Sequence, residues 1–210
     1  MHRIIIAGIG PGAREYITPA AYQAAADADI LVAGKRNLAA FQELEKETYE
    51  FRSNSAALLS FINEKRKMKR VCVLVSGDPG FYSLLDFFRE KVGENELEVI
   101  PGISSFQYFS ARLKKSWKDF ALASMHGRSF DLKKCLGERD GVVLLTDRIH
   151  NPEFIARYLL DNHFDEALLY VGENLSYPDE KITIGRPREI LPQKFSDLCV
   201  VVIEKNGLAT

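Results

Sequence analysis

Val71-Cys72-Val73-Leu74-Val75-Ser76-Gly77-Asp78-Pro79-Gly80-Phe81-Tyr82 is the stretch that decides the fold. Its first five residues are apolar and mostly β-branched, the pattern of a strand buried on both faces in a parallel sheet. The run stops at Ser76-Gly77. Asp78 then stands where a helix N-cap would and Pro79 where the first helical residue would, and the spacing of Phe81, Leu84, Leu85 and Phe88 gives that helix an apolar face. Strand, small-residue loop and helix form the unit that opens a crevice at the carboxyl ends of an open α/β sheet, where such folds bind ligands. Capping alone leaves Ser76 and Gly77 unexplained. Two residues with little or no side chain let a ligand approach the backbone, and a helix start offers free N–H groups to an anion.

The same grammar extends in both directions. Arg3 to Ala7 reads as a buried strand and runs into Gly8-Ile9-Gly10-Pro11-Gly12-Ala13, a tight, side-chain-poor loop. Thr18 and Pro19 open a helix to Ala26, and Asp29 to Ala33 is a strand ending at Gly34-Lys35-Arg36. A helix near Asn37 to Leu44, an extended piece from Thr48 to Phe51 and a helix from Ser55 to Arg66 lead to the Val71 strand. Beyond it, Leu97 to Ile100 is a strand broken by Pro101-Gly102, and Ser104-Ser105 opens a short helix carrying Phe106 and Phe109. The polar stretch from Lys114 to Lys118, which holds the single tryptophan, marks a boundary between domains 1–113 and 114–210. In the second half, Phe120 to Ser124 and Gly141 to Thr146 are strands, with helices from Phe130 to Leu136 and from Asn151-Pro152 to Asp161. Three closing strands, Glu166 to Gly172, Glu180 to Gly185 and Asp197 to Glu204, are interrupted only by a turn at Tyr177-Pro178-Asp179 and a helical turn near Pro187 to Leu191. Their spacing predicts antiparallel pairing. The expected fold class is therefore α/β, two consecutive domains with a mostly parallel sheet in the first and a mixed sheet in the second.

Composition excludes several function classes. The 210 residues are 46% hydrophobic, and 28 basic against 29 acidic residues leave no global field for nucleic acid or an anionic membrane. No apolar run approaches a membrane span, and Met1-His2-Arg3 leads directly into a strand, so the expectation is a cytoplasmic protein. Cys72, Cys135 and Cys199 lie far apart, which excludes a disulfide framework and argues against a metal site. Lys65 to Arg70, KRKMKR, is read as the solvated end of a helix. His126, beside Gly127, could serve as a base or simply make one loop hydrogen bond, and Asp147, Glu173 and Asp179 lie at predicted strand ends or turns without a spacing that demands acid–base chemistry.

GIGPGA matches the G-x-G-x-x-A dinucleotide fingerprint. A nicotinamide site would want an acidic residue at the end of the second strand, where Lys35 and Arg36 stand instead; these could accept a phosphorylated ribose. Pro11 removes one N–H from any phosphate cradle. An NADP-dependent oxidoreductase is thus one alternative, and a non-catalytic nucleotide-sensing module using the same crevice is another.

The segments GIGPG, SGDPGFYS, PGISSFQ, VVLLTD and GENLSYPDEKI occur in the order and spacing of the tetrapyrrole methylases of cobalamin and siroheme synthesis, and the resemblance runs from Ile4 to about Glu204. AGKRNL and SMHGR look most like the branch that methylates the C5 bridge carbon of a cobalt-precorrin or precorrin-6 type substrate. The resemblance implies a homodimeric methyltransferase that binds S-adenosylmethionine in a cleft between its two domains. By position, Pro11, Ser76, Gly77, Asp78, Phe81, Ser104, Ser105, Thr146, Glu173, Asn174 and Leu175 would line the cofactor. Bifunctional relatives also carry a C-terminal domain that methylates C15 and removes a carboxyl group. Ending at Thr210, this chain is expected to leave that step to a separate protein. Other members of the superfamily act on ribosomal RNA or on a modified histidine, and balanced charge argues against RNA.

Such chemistry fits the residues. An electron-rich tetrapyrrole carbon attacks a sulfonium methyl without a strong base, so orientation in a dry cleft can supply roughly 7–11 kcal/mol, and no catalytic dyad is needed. Asp78 and Tyr82 are read as positioning groups, and the faces of Phe81 or Tyr82 would attract the sulfonium by about 1–2 kcal/mol. A substrate bearing many carboxylates needs local cations, for which Lys35, Arg36, Arg128 and Arg148, with His126, are the candidates.

Overall fold

In the computed structural model, which describes residues 1–52, 55–125, 127 and 129–205, Val71–Val75 is the middle strand of a five-stranded, all-parallel sheet. Its strands are β1 (Ile4–Gly8), β2 (Ile30–Ala33), β3 (Glu47–Glu50), β4 (Val71–Val75) and β5 (Leu97–Ile100), in the order β3-β2-β4-β1-β5. The unbroken apolar runs of β1, β2 and β4 follow from burial on both faces. Alternate residues feed two cores: Ile5, Ala7, Cys72 and Leu74 pack with Ala21 and Ala25 of helix α1 (Pro19–Asp27), while Ile4, Ile6, Val71 and Val73 pack with Leu58 and Ile62 of α3 (Ser55–Lys65) and Phe88 of α4 (Leu85–Val92). The helix after β2 is shorter than the periodicity suggests. It runs as α2 (Lys35–Ala39) and resumes as a 3-10 turn at Gln42–Leu44.

The second unit has its own five-stranded sheet and core. Helix α5 (Ser105–Leu113) precedes β6 (Ala121–Ser124), α6 (Leu132–Glu138), β7 (Gly141–Leu145), α7 (Pro152–Asp161), β8 (Leu168–Glu173), β9 (Lys181–Gly185), α8 (Pro187–Ile190) and β10 (Cys199–Glu204). The order is β6-β7-β10-β8-β9; only β6 and β7 are parallel neighbours, and the antiparallel pairing expected of the last three strands is present. The compact units are Met1–Ser104 and Ser105–Thr210, so the division falls nine residues before the expected one at 113/114, because α5 packs on β10 of the second sheet.

Two local expectations are corrected. The helix after Gly77 starts at Leu85 and not at Pro79; Asp78 to Leu84 is a chain of turns, with Phe81 N–H on the Asp78 carbonyl at 3.2 Å and Tyr82 in the left-handed region at φ +50°. Asp78 therefore caps no helix. Within KRKMKR, Arg66 is buried rather than solvated, donating to Glu96 Oε2 at 2.7 Å and Asn63 Oδ1 at 2.9 Å, which satisfies its guanidinium where α3 ends.

Candidate functional site

Parallel pairing brings the carboxyl ends of β1, β2, β4 and β5 to one edge of the first sheet, and the loops that follow them meet there. Three glycines make the meeting possible. A Cβ on Gly102 would lie 2.2 Å from the Gly77 carbonyl oxygen and 2.6 Å from Gly8 backbone, and one on Gly8 would lie 2.6 Å from that same oxygen. Gly10 and Gly77 exchange backbone hydrogen bonds at 2.8 and 3.3 Å, both at positive φ. The Asp78 carboxylate fastens the cluster: Oδ1 accepts from Gly80 N–H at 2.8 Å and Oδ2 from Gly102 N–H at 3.1 Å. From the β2 side, Arg36 Nη2 donates to Ser76 Oγ at 3.4 Å, and that hydroxyl donates to Asn37 Oδ1 at 3.1 Å. Pro11 and Ser104 are buried, Ser76 is exposed, and Phe81 packs edge-on against Tyr82 at 5.0 Å. Pro11, Ser76, Gly77, Asp78, Phe81 and Ser104 thus belong to one unit, on loops that follow three of its strands. Lys35 is exposed at the first turn of α2, beside a 320 Å³ hollow that it lines with Leu38, Phe41, Lys46 and Glu50.

The glycine loop after β1 does not open a helix. A 3-10 turn at Arg14–Tyr16 intervenes, and α1 begins only at Pro19. A dinucleotide fingerprint needs the helix N-terminus directly behind the loop to meet the pyrophosphate, so GIGPGA lacks that geometry.

In the second unit, Thr146 Oγ1 donates to the Cys199 carbonyl at 2.8 Å where β7 ends. Glu173 ends β8 and is 7% exposed; Oε1 accepts from Ser196 N–H at 2.9 Å, whereas Oε2 is buried without a hydrogen-bond donor among the described residues, with Lys181 Nζ at 3.6 Å as an ion-pair partner. Asn174 is left-handed at φ +46°, its N–H on the Leu198 carbonyl at 3.0 Å, and Leu175 is buried against Gly172. Ser105 opens α5. Arg148 is exposed and paired with Asp197 at 2.8 Å, and His126 and Arg128 lie outside the described residues.

Several supporting residues escaped the sequence reading. Gly102 looks like a mere strand breaker until its neighbours are known, Asn37 lies within AGKRNL with no role assigned to it, and Ser196 carries no motif. Asp147 stood out as a strand-end carboxylate, and its role is structural: it accepts from Gly127, Ile149 and His150 N–H groups at 2.9, 2.8 and 2.6 Å. Burial alone would raise its pKa, but these donors and the His150 ring hold the carboxyl well below the usual range. Burial pushes the thiols of Cys72 and Cys199 up to about 12, so neither is a ready nucleophile. Among the described residues no helix is long and apolar enough to cross a membrane, and no group of three or more His, Cys, Asp or Glu side chains is placed to hold a metal ion.

Comparison with known proteins matches residues 3–191 to the family described as Tetrapyrrole (Corrin/Porphyrin) Methylases. The chain is 36% identical over 179 residues to the cobalt-precorrin-7 C(5)-methyltransferase of Salmonella typhimurium, covering 85% of this chain and 88% of that one. It is 35% identical over 209 residues to a Methanocaldococcus jannaschii protein named "Probable cobalt-precorrin-7 C(5)-methyltransferase", covering 96% and 97%. Among solved structures, a cobalamin biosynthesis precorrin-6Y methylase from Archaeoglobus fulgidus superposes with a TM-score of 0.77 at 26% identity, covering 97% of this chain and 98% of that chain. At 20% identity, a uroporphyrin-III C-methyl transferase from Thermus thermophilus, solved complexed with S-adenyl homocysteine, shares the fold with a TM-score of 0.78, covering 96% and 97%.

Proposed function

Because the chain belongs to the tetrapyrrole (corrin/porphyrin) methylases, we propose that it transfers a methyl group from S-adenosylmethionine to C5 of a cobalt-precorrin in cobalamin biosynthesis. The observation that carries the reading is the 35% and 36% identity, over most of both chains, to two relatives named for that position. The sequence reading named a precorrin-6 type acceptor; their names point to cobalt-precorrin-7, and the proposal takes that compound as its first substrate.

The residues fit such a donor. Glycines 8, 77 and 102 let the loops after β1, β4 and β5 pack backbone to backbone, and the buried Glu173 Oε2, with no hydrogen-bond donor among the described residues and Lys181 Nζ at 3.6 Å, suits a further group carrying positive charge. Bound, S-adenosylmethionine supplies an electrophilic methyl group. In this proposal the residues that hold it are Pro11, Ser76, Gly77, Asp78, Phe81, Ser104, Ser105, Thr146, Glu173, Asn174 and Leu175. Asp78 acts indirectly: both of its oxygens are engaged by backbone N–H groups, so it holds the loops in place. Tyr82, 43% exposed and next to Phe81, offers an aromatic face toward a sulfonium. Lys35 and Arg36, with Arg148, His126 and Arg128, are the proposed clamps for substrate carboxylates. Rate enhancement comes from orientation and exclusion of water, with no residue assigned as a general base. We also propose a homodimer, as the family resemblance implies, and a cytoplasmic location; sedimentation measures the dimer.

The test is incubation of the protein with methyl-labelled S-adenosylmethionine and a panel of corrin precursors, locating the label by NMR. Label at C5 of cobalt-precorrin-7 is the expected result. Label at another carbon overturns the position, and absence of transfer to every precursor, with calorimetric binding of NADP instead, overturns the reaction.

A further inference from the structure

Glu180 lies outside every residue assigned above, yet its carboxylate gathers donors from two elements. Tyr108 O–H donates to Oε2 at 2.6 Å, Ser176 N–H to the same oxygen at 2.7 Å, and Arg112 Nε to Oε1 at 2.8 Å. Tyr108 and Arg112 stand one turn apart on α5, so they reach the carboxylate from a single helix face. The side chain is 12% exposed. Burial alone would raise its pKa, but Tyr108, the Ser176 N–H and Arg112 outweigh it and hold the group below the usual carboxylate range, charged at neutral pH.

The segment so held is the one that follows β8. Asn174 and Ser176 both adopt left-handed backbone, at φ +46° and +70°, a region uncommon for non-glycine residues and entered more readily by asparagine than by serine. Between them Leu175 turns inward onto Gly172, where a Cβ would lie 2.7 Å from Leu175 Cδ2 and 2.9 Å from the Phe109 ring of α5. Asn174 Nδ2 donates to Asp179 Oδ2 at 2.8 Å, and Ser196 Oγ donates to Asn174 Oδ1 at 3.3 Å. The loop therefore meets α5 through the bonds of Glu180 to Tyr108 and Arg112, with Leu175 and Phe109 both seated against Gly172, and α5 itself begins at Ser105.

We propose that Glu180 is a positioning residue for cofactor binding: through Ser176 and the two α5 side chains it holds the Glu173-Asn174-Leu175 loop and the Ser105 helix in a fixed relation. The inference rests on the reading of those residues as cofactor contacts. Without the carboxylate, the loop must be ordered by the ligand itself, and the ordering is subtracted from affinity. A carboxylate of like burial in the same unit gives the comparison. Glu204 Oε2 accepts from Tyr170 O–H at 2.7 Å and Oε1 from Lys115 Nζ at 2.9 Å, and neither bond involves a proposed cofactor residue.

The experiment is calorimetric titration of the full chain with S-adenosylhomocysteine, alongside thermal unfolding. Glu180→Ala is expected to weaken binding roughly tenfold, and Glu180→Gln, which keeps an acceptor for Ser176 but loses the charge, roughly threefold. Glu204→Ala is expected to lower the Tm yet leave Kd unchanged. In turnover, KM for S-adenosylmethionine rises in the Glu180 variants while KM for the tetrapyrrole does not. Tight binding by the wild-type protein with the same Kd in Glu180→Gln, or equal weakening in Glu204→Ala, overturns the positioning role alone. No binding by the wild-type protein overturns the cofactor reading and this inference with it.

Discussion

A methyl group added at Gly102 would meet the Gly77 carbonyl oxygen at 2.2 Å, a contact that only backbone movement relieves. Gly102→Ala is expected to destabilise the protein by about 2–3 kcal/mol, since overpacking a tight junction costs roughly that much. Gly137→Ala, within α6 and with nothing within 4 Å of its would-be Cβ, should instead stabilise by about 0.5–1 kcal/mol. Urea denaturation of both variants checks the contrast. Asp147 makes a second residue-scale case. Its folded pKa lies below its ordinary value of 3.8, so its stabilisation is present above that value and is lost as pH falls through the folded pKa. Asp147→Asn should therefore be less stable than wild type at neutral pH, and the gap should close in acid; a gap that persists at the lowest pH would contradict the assignment. At this scale the residue types were legible, and the reason for each glycine was not. A glycine's role here depends on which loop crosses it.

Three pairs of a Thr, Asp or Asn with Pro invite the same element-scale reading, and two obey it. Thr18-Pro19 opens α1, with Ala21 N–H on Thr18 Oγ1 at 3.2 Å, and Asn151-Pro152 opens α7, with Phe154 N–H on Asn151 Oδ1 at 2.8 Å. Asp78-Pro79 does not open α4. Its carboxylate is drawn toward Gly102 N–H on the loop after β5, a contact between residues 24 apart in sequence. Local propensity was the same in all three; a long-range donor decided the third. Asn151→Ala is expected to cost about 1 kcal/mol in urea denaturation, the usual worth of an N-cap. The strands were legible within one or two residues, β1, β2 and β4 because burial on both faces leaves unbroken apolar runs, whereas α2 ended early where no pattern announced it.

For the whole molecule, a formal net charge of −1 means that an anionic substrate must be recognised by local cations. Lys35 is exposed at the first turn of α2, beside the hollow it lines, and Lys35→Ala is expected to raise KM for the tetrapyrrole roughly three- to tenfold while the Kd for S-adenosylhomocysteine stays the same. Unchanged substrate kinetics would remove it from the clamp. Arg148 already neutralises Asp197, so its replacement alters a surface pair as well. By itself the sequence determined the two α/β units, the parallel and mixed character of their sheets and the family, because periodicity, buried runs and motif order are written along the chain. Only the tertiary structure decided that Asp78 ties two loops together instead of capping a helix, that three glycines meet backbone to backbone, and that Glu180 braces the loop after β8. Each of these joins residues distant in sequence, and the physical agents, a shared hydrogen bond or a missing Cβ, exist only once the strands have brought them within reach.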